Sequence, residues 1–390
     1  MNKKGSTLLL LLVLLFPISS PAEDNQTVEI RVAKDDTLTH LCLQYLEDPG
    51  QCREIATLNR LKDPDRINPG QILLIPVRLL KGTPIPGVVT FQKGEVAFQE
   101  KTGEWRELRL GDPVVAGSQI RTGEESAVEI TFENGAVLFA QPNTIMKIKR
   151  SEKKGMLHTI QQLFLELGKV LIRSQGATGK ASRFEIETPA AVIAPRGTTF
   201  RVAADPSRIT AVEVLEEKVA VTAMSETVSL NENEGTIVEK GTPPLPPVTL
   251  LSPPALIDPA PEYQTLPLRF HFEIVENAVS YRHILAKDPD LKDRIAEEIV
   301  DPKSPFTVAS LEEGLYYLSS QSINHLGLEG RGSKPVEIRM KTAEVALPPE
   351  PEPEPETRQE PDPVPPPVAV PRDYSREMAG LILFILFLLF

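Results

Sequence analysis

The sequence predicts a multi-domain, mainly β chain, and three observations predict it. The chain has 390 residues, room for roughly two to four domains of about 100–200 residues each. Proline is heavily used, 37 residues, while aromatics make up only 5%. Short runs of alternating apolar and polar residues recur between Gly, Asn and Asp turns, the signature of half-buried strands. The net charge is -12 and the pI about 5.1. That balance argues against nucleic acid, which needs a basic face to displace counterions from phosphates.

Residues 1–22 read as a secretory signal. Lys3 and Lys4 precede an apolar stretch, Leu8 to Phe16, and Ser20-Pro21-Ala22 resembles a small-x-small cleavage site. The alternative is a retained membrane anchor. No Cys follows the apolar run, which argues against lipidation. The expected location is therefore outside the cytoplasm, in the periplasm, with membrane association left open.

Residues 28–76 predict a β-α-α-β module. Val28-Glu29-Ile30-Arg31-Val32 alternates as a strand. Asp35-Asp36-Thr37 offers helix N-caps, and Leu38, Leu41, Cys42 and Tyr45 follow at helical spacing. Asp48-Pro49-Gly50 breaks that helix. A second helix is expected over residues 53–61, with Ile55 and Leu58 inward. Pro69-Gly70 turns the chain into a closing strand, residues 72–76. Cys42 and Cys52 are the only cysteines. In an exported protein they suit a disulfide, the alternative being two buried thiols.

Residues 87–240 predict an all-β region. Ala127 to Phe132 alternates and runs into Asn134-Gly135, a strong hairpin signal. Lys147, Lys149, Arg150, Lys153 and Lys154 are expected to form a solvated basic loop between strands. Residues 241–262 are proline-rich and read as a linker. Strand-like patterning resumes over residues 250–342. Residues 343–377 form a Pro/Glu-rich linker, extended and stiff rather than packed. Residues 378–390 are almost wholly apolar, about 20 Å if helical against about 30 Å of hydrocarbon. Such a tail anchors, inserts partly, or belongs to a longer segment.

Three resemblances follow from these residues. Lys34-Asp35-Asp36-Thr37-Leu38, Ile55-Ala56-x-x-Asn59 and Ile67-Asn68-Pro69-Gly70-Gln71-Ile72-Leu73-Leu74-Ile75-Pro76 together resemble a LysM domain. Asp35 stands where the family has Gly. The resemblance implies binding of N-acetylglucosamine-containing glycans, chiefly peptidoglycan and chitin. It places a shallow groove between the loops at residues 35–38 and 59–69. The expected glycan-binding residues are Asp36, Thr37, Leu38, Asn59, Leu61 and Ile67, with Leu38, Leu61 and Ile67 as an apolar notch. Singly, Asp36, Thr37 and Asn59 also read as caps and turn locks.

The string Gly111-Asp112-x-Val114, Ile120-Arg121-Thr122-Gly123, Gly168-x-Val170 and Ala194-x-Arg196-Gly197-Thr198-x-Phe200-x-Val202 resembles the FecR domain. Glu217 replaces the usual Gly of a turn. The family's regulators carry a cytoplasmic segment and a spanning helix ahead of the domain, and that pattern is not seen here. What the resemblance implies is a β-rich extracytoplasmic domain for protein contacts. Leu311-x-x-Gly314-x-Tyr316 resembles the tyrosine corner of a fibronectin type III sandwich. Its usual Trp is absent, and Phe270 or Phe272 is expected in that place.

No catalytic constellation is legible. The five His form no HExxH-type ligand set, no Cys lies outside the first module, and no Gly-x-Ser-x-Gly elbow or phosphate-cradling loop occurs. The expected protein is a non-enzyme without cofactors. Its expected partners are peptidoglycan glycan chains and an unidentified envelope protein, with membrane contact through the tail left open.

Overall fold

The computed structural model describes residues 27–64, 66–154, 158–174, 183–195 and 197–341. The signal at 1–22, the linker at 343–377, the tail at 378–390 and Arg196 lie outside the described residues.

The first module is β1 (Thr27–Arg31), α1 (Leu38–Tyr45), α2 (Cys52–Leu58) and β2 (Ile72–Pro76). β1 and β2 pair antiparallel, Val28 opposite Ile75. Thr37 caps α1, its Oγ1 accepting from the His40 amide at 3.1 Å. Leu41, Leu46, Ile55, Leu73 and Ile75 form the buried core. Each contributes about 1.5–3 kcal/mol of burial, little in total for so short a module. Cys42 and Cys52 are bonded. On loop length alone that link contributes about 2–3 kcal/mol. α2 is shorter than expected and Leu58 does not point inward: it is exposed, while Ile55 and Ala56 fill the core. The helix ends there because Asn59 leaves it to bond elsewhere, as described below.

The described residues of the second region hold eighteen strands. The first nine are β3 (Thr83–Pro84), β4 (Gly87–Lys93), β5 (Val96–Glu100), β6 (Arg106–Glu107), β7 (Pro113–Val114), β8 (Ser118–Thr122), β9 (Ala127–Phe132), β10 (Val137–Ala140) and β11 (Ile145–Lys154). Then come β12 (His158–Arg173), β13 (Arg183–Glu187), β14 (Val192–Pro195), β15 (Thr199–Ala204) and β16 (Ile209–Val214). β17 (Val219–Ala223), β18 (Glu226–Leu230), β19 (Glu234–Glu239) and β20 (Val248–Thr249) complete the set. All belong to one closed, barrel-like system of pairings. It contains two runs of strands that share β12. One is β6-β5-β8-β11-β12-β13-β14-β17-β18. The other is β7-β4-β9-β10-β12-β15-β16-β19-β20.

The long strand β12 changes partners at Gly168. Its first half pairs with β11 up to Leu167, and its second half pairs with β15 from Gly168 onward. Gly168 has φ +96°, and a Cβ there would lie 2.5 Å from the Thr144 Cα and 2.7 Å from the Asn143 carbonyl oxygen. Only glycine suits both the backbone angle and the close approach. The core between the runs is apolar, with Phe98, Ile120, Ile130, Ile172, Phe200 and Val221 fully buried.

Two expectations for this region change. The basic residues 147–154 are not a loop but the strand β11. Met146 and Ile148 are buried while Lys147 and Lys149 face outward. Lys154 is 2% exposed; its ammonium donates at 3.1 Å to both Glu47 Oε2 and the Arg78 carbonyl. That contact docks the first module on the second, and it holds the exposed Glu47 carboxyl below its usual range, chiefly through the Lys154 hydrogen bond. The proline-rich stretch is also not a free linker. β20 pairs with Glu234 and Gly235 of β19, and Leu250 is buried. At Glu217 the backbone is left-handed, φ +56°, which accounts for the glycine expected there.

The third region comprises β21 (Leu268–Phe270), β22 (Ser280–Ala286), β23 (Arg294–Val300), β24 (Phe306–Val308), β25 (Gly314–Ile323) and β26 (Val336–Met340). β21 pairs with β24, and the others form a sheet in the order β23-β22-β25-β26. Phe270 and Phe272 are both buried, and the Tyr316 phenol donates to the Glu312 carbonyl at 3.0 Å. Buried charge joins this region to the second. Arg201 and Glu213 pair at 3.0 Å. Glu329 of the third region meets Lys169 at 2.5 Å and Arg282 at 2.8 Å. Burial opposes ionising Glu329, but Lys169, Arg282 and Arg201 hold its carboxyl down to about 2.

Candidate glycan-binding site

The chain segments that flank the two expected loops are tied edge to edge. The Val32 amide donates to the Gln71 carbonyl and the Gly70 amide to the Val32 carbonyl, both at 2.8 Å. Within the first loop, Asp36 Oδ2 accepts from the Ala33 amide at 2.7 Å, closing the turn that Asp35 enters at φ +71°. Within the second, the Asn68 amide donates to Gln71 Oε1 at 3.0 Å. Short side chains and backbone bonds therefore help set the loop shapes.

The six expected residues divide by environment. Thr37 is exposed, half-buried Asp36 lies beside it, and each uses a side-chain oxygen locally. Leu61 and Ile67 are half-buried, each packed against the module core while keeping an open side. These four lie on the paired loops. Leu38 is 4% exposed and belongs to the core. It cannot line an open notch, because its position is the first inward residue of α1. Asn59 locks α2 to β2. Its Nδ2 donates to the Ile55 and Leu74 carbonyls at 2.9 and 2.7 Å, and its Oδ1 accepts from the Leu74 amide at 2.7 Å. All its hydrogen-bonding capacity in that direction is used inside the module.

On the second loop Leu61 and Ile67 keep a half-open apolar side, flanked by exposed Leu58 and Ile72 and by exposed Asn68 and Arg60. A shallow, largely backbone-walled edge suits a flat ligand carrying amide and hydroxyl groups. Among the described residues no group of three or more His, Cys, Asp or Glu could hold a metal. Among them, no helix is long and apolar enough to cross a membrane.

Comparison with known proteins adds two domain matches. The model of the LysM domain matches residues 30–76 and that of the FecR protein family matches residues 118–220. No curated protein matches the chain. Among solved structures, a candidate anti-sigma factor from Parabacteroides distasonis is 20% identical, with a TM-score of 0.29. The match covers 34% of this chain and 59% of that one. The extracellular domain of a candidate one-component system from B. thetaiotaomicron is 10% identical, with a TM-score of 0.17. That match covers 70% of this chain and 61% of the other. The chain thus spans about three fifths of the length of the solved structures it matches. It carries a LysM domain over residues 30–76 and a FecR domain over residues 118–220.

Proposed function

We propose that this is a non-catalytic protein of the cell envelope that holds peptidoglycan through its LysM domain and presents its β regions to a protein partner. The observation that carries the reading is the pair of loops, joined at their bases through Val32, Gly70 and Gln71, with Leu61 and Ile67 half-open on the second. An N-acetyl group needs a small apolar contact flanked by backbone donors and acceptors, and this edge offers both. One such module binds weakly, on the order of −4 to −8 kcal/mol.

The third region is read as a fibronectin type III-like sandwich. Support comes from the bond of Tyr316 back to Glu312 and from the two facing sets of strands. Export to the periplasm is part of the same proposal, as is the absence of catalysis. Titration calorimetry with chitin oligosaccharides tests the glycan claim. Heat that saturates, and that falls when Ile67→Asp is introduced, supports it; absence of heat in the unmodified chain refutes it.

A second reading, envelope signalling, is favoured by the FecR match over residues 118–220. Here the β domain senses a partner and passes the state on. Fractionation of cells separates the two, because signalling needs a membrane-held chain.

A further inference from the structure

The only tryptophan of the chain is not in a core. Trp105 is 36% exposed and borders a groove of about 590 Å³ in the FecR-containing region. Gly94, Glu95, Arg106, Glu107 and Arg121 share that groove. The Arg121 guanidinium lies 4.2 Å from the centroid of the Trp105 ring, and cation–π attraction holds the two planes together.

The charges in the groove are not equally satisfied. Arg106 pairs with Glu100 at 3.3 Å and Asp112 at 3.4 Å. Glu107 pairs with Arg109 at 2.9 Å. Arg121 and Glu95 have no ion pair among the described residues, although both line the same groove. The backbone around them is fixed: the Gly123 amide donates to the Glu95 carbonyl at 3.0 Å, and the Glu95 amide donates to Ser126 Oγ at 2.8 Å. A fixed pocket edge therefore presents one unpaired guanidinium, one unpaired carboxylate and an aromatic ring.

We propose that this groove is a second sugar site, which takes an N-acetylated amino sugar bearing a carboxylate, the N-acetylmuramic acid class. The ligand's carboxylate bonds Arg121, its acetamido N–H donates to Glu95, and its C–H face packs against Trp105. Arg is suited to the carboxylate because its planar fork donates to both oxygens at once. The volume falls in the range of small-molecule sites. The inference rests on the proposed glycan reading, since a site for the second sugar of the same polymer supplies the avidity that one weak module lacks.

The sole tryptophan supplies the test. Full-length protein is titrated with N-acetylmuramic acid while Trp105 emission is recorded, with N-acetylglucosamine and triglutamate as controls. The expected result is a saturable change with N-acetylmuramic acid in the millimolar range, and none with either control at equal concentration. Arg121→Gln, an exposed position, is expected to weaken the response roughly 10–100-fold while circular dichroism stays unchanged. Silence with N-acetylmuramic acid overturns the proposal, as does an equal response to either control or an unchanged Arg121→Gln variant. Chitin-oligosaccharide calorimetry on the same sample reads the LysM domain independently. Heat with a silent Trp105 rejects the groove alone, and loss of both signals rejects both sites.

Discussion

Arg201 and Glu213 form an ion pair of 3.0 Å with both side chains almost wholly buried. Each also reaches across to the third region. Arg201 Nη2 donates to the carbonyl of Gly330 at 2.8 Å, and Glu213 Oε1 accepts from the Glu329 amide at 2.8 Å. One pair therefore sits inside the FecR-containing region and closes its boundary with the next. Removing a single partner leaves a buried charge without the counter-charge that bonds it directly. Arg201→Met is expected to cost about 3–5 kcal/mol, with most of it recovered in Arg201→Met/Glu213→Leu. Urea unfolding midpoints of the single and double variants check this. Equal midpoints would show that the pair is not buried in solution.

Gly168 is the point where β12 passes from one run of strands to the other. The Thr144 backbone lies so close that any side chain forces the strands apart. Gly168→Ala is expected to destabilise this region by at least about 2 kcal/mol. Thermal unfolding of the variant measures it, with Gly111→Ala as the comparison. Gly111 also has positive φ, but nothing lies within 4 Å of a Cβ there, so its loss should be smaller.

Asn59 is predicted to act on stability before it acts on binding. Asn59→Ala leaves the Leu74 amide and carbonyl without their side-chain partner, at an expected cost of about 2–4 kcal/mol to the LysM domain. Amide exchange in β2 should accelerate. Normal exchange together with lost glycan binding would instead mark Asn59 as a direct ligand contact.

His283 predicts a pH effect on the third region. Its ring stacks on Phe272 at 4.2 Å and Phe306 at 5.2 Å, and its Nδ1 lies 2.7 Å from Ser320 Oγ. Burial lowers its pKa from 6.5 to about 4. The unfolded chain therefore binds a proton between those values while the folded chain does not. Stability is fully present above pH 6.5 and falls as the pH drops from 6.5 to 4, by about 3 kcal/mol. The His283→Phe variant should lose that slope. An unchanged slope would assign it to other groups.

The parts of this structure that a sequence shows are those written in local patterns. The N-cap at Thr37, the loop string ending in Pro69-Gly70-Gln71 and the Asn134-Gly135 hairpin each carry their own signal. In the hairpin, Asn134 Oδ1 holds the Ala136 amide at 3.1 Å while Thr131 pairs with Val137. The FecR match likewise follows from turns and short strands. What stayed hidden depends on distant partners. Lys154 sits in a row of lysines that looks solvated, and only Glu47 and the Arg78 carbonyl, brought together from the first module, explain its burial. The prolines of 241–262 suggested a spacer, but Leu250 finds a buried place through a bond to the Asn233 carbonyl. In the LysM domain, Leu38 and Asn59 match the family string because they build the fold, and the string alone does not separate builders from contacts.

The central claim is that the LysM domain holds the cell-wall glycan. Sedimentation of the full-length protein with purified sacculi tests it most directly. The account predicts that the protein pellets with sacculi, that soluble chitin oligosaccharide releases it, and that Ile67→Asp shifts it to the supernatant. Protein that remains in the supernatant while its LysM domain is folded would contradict it.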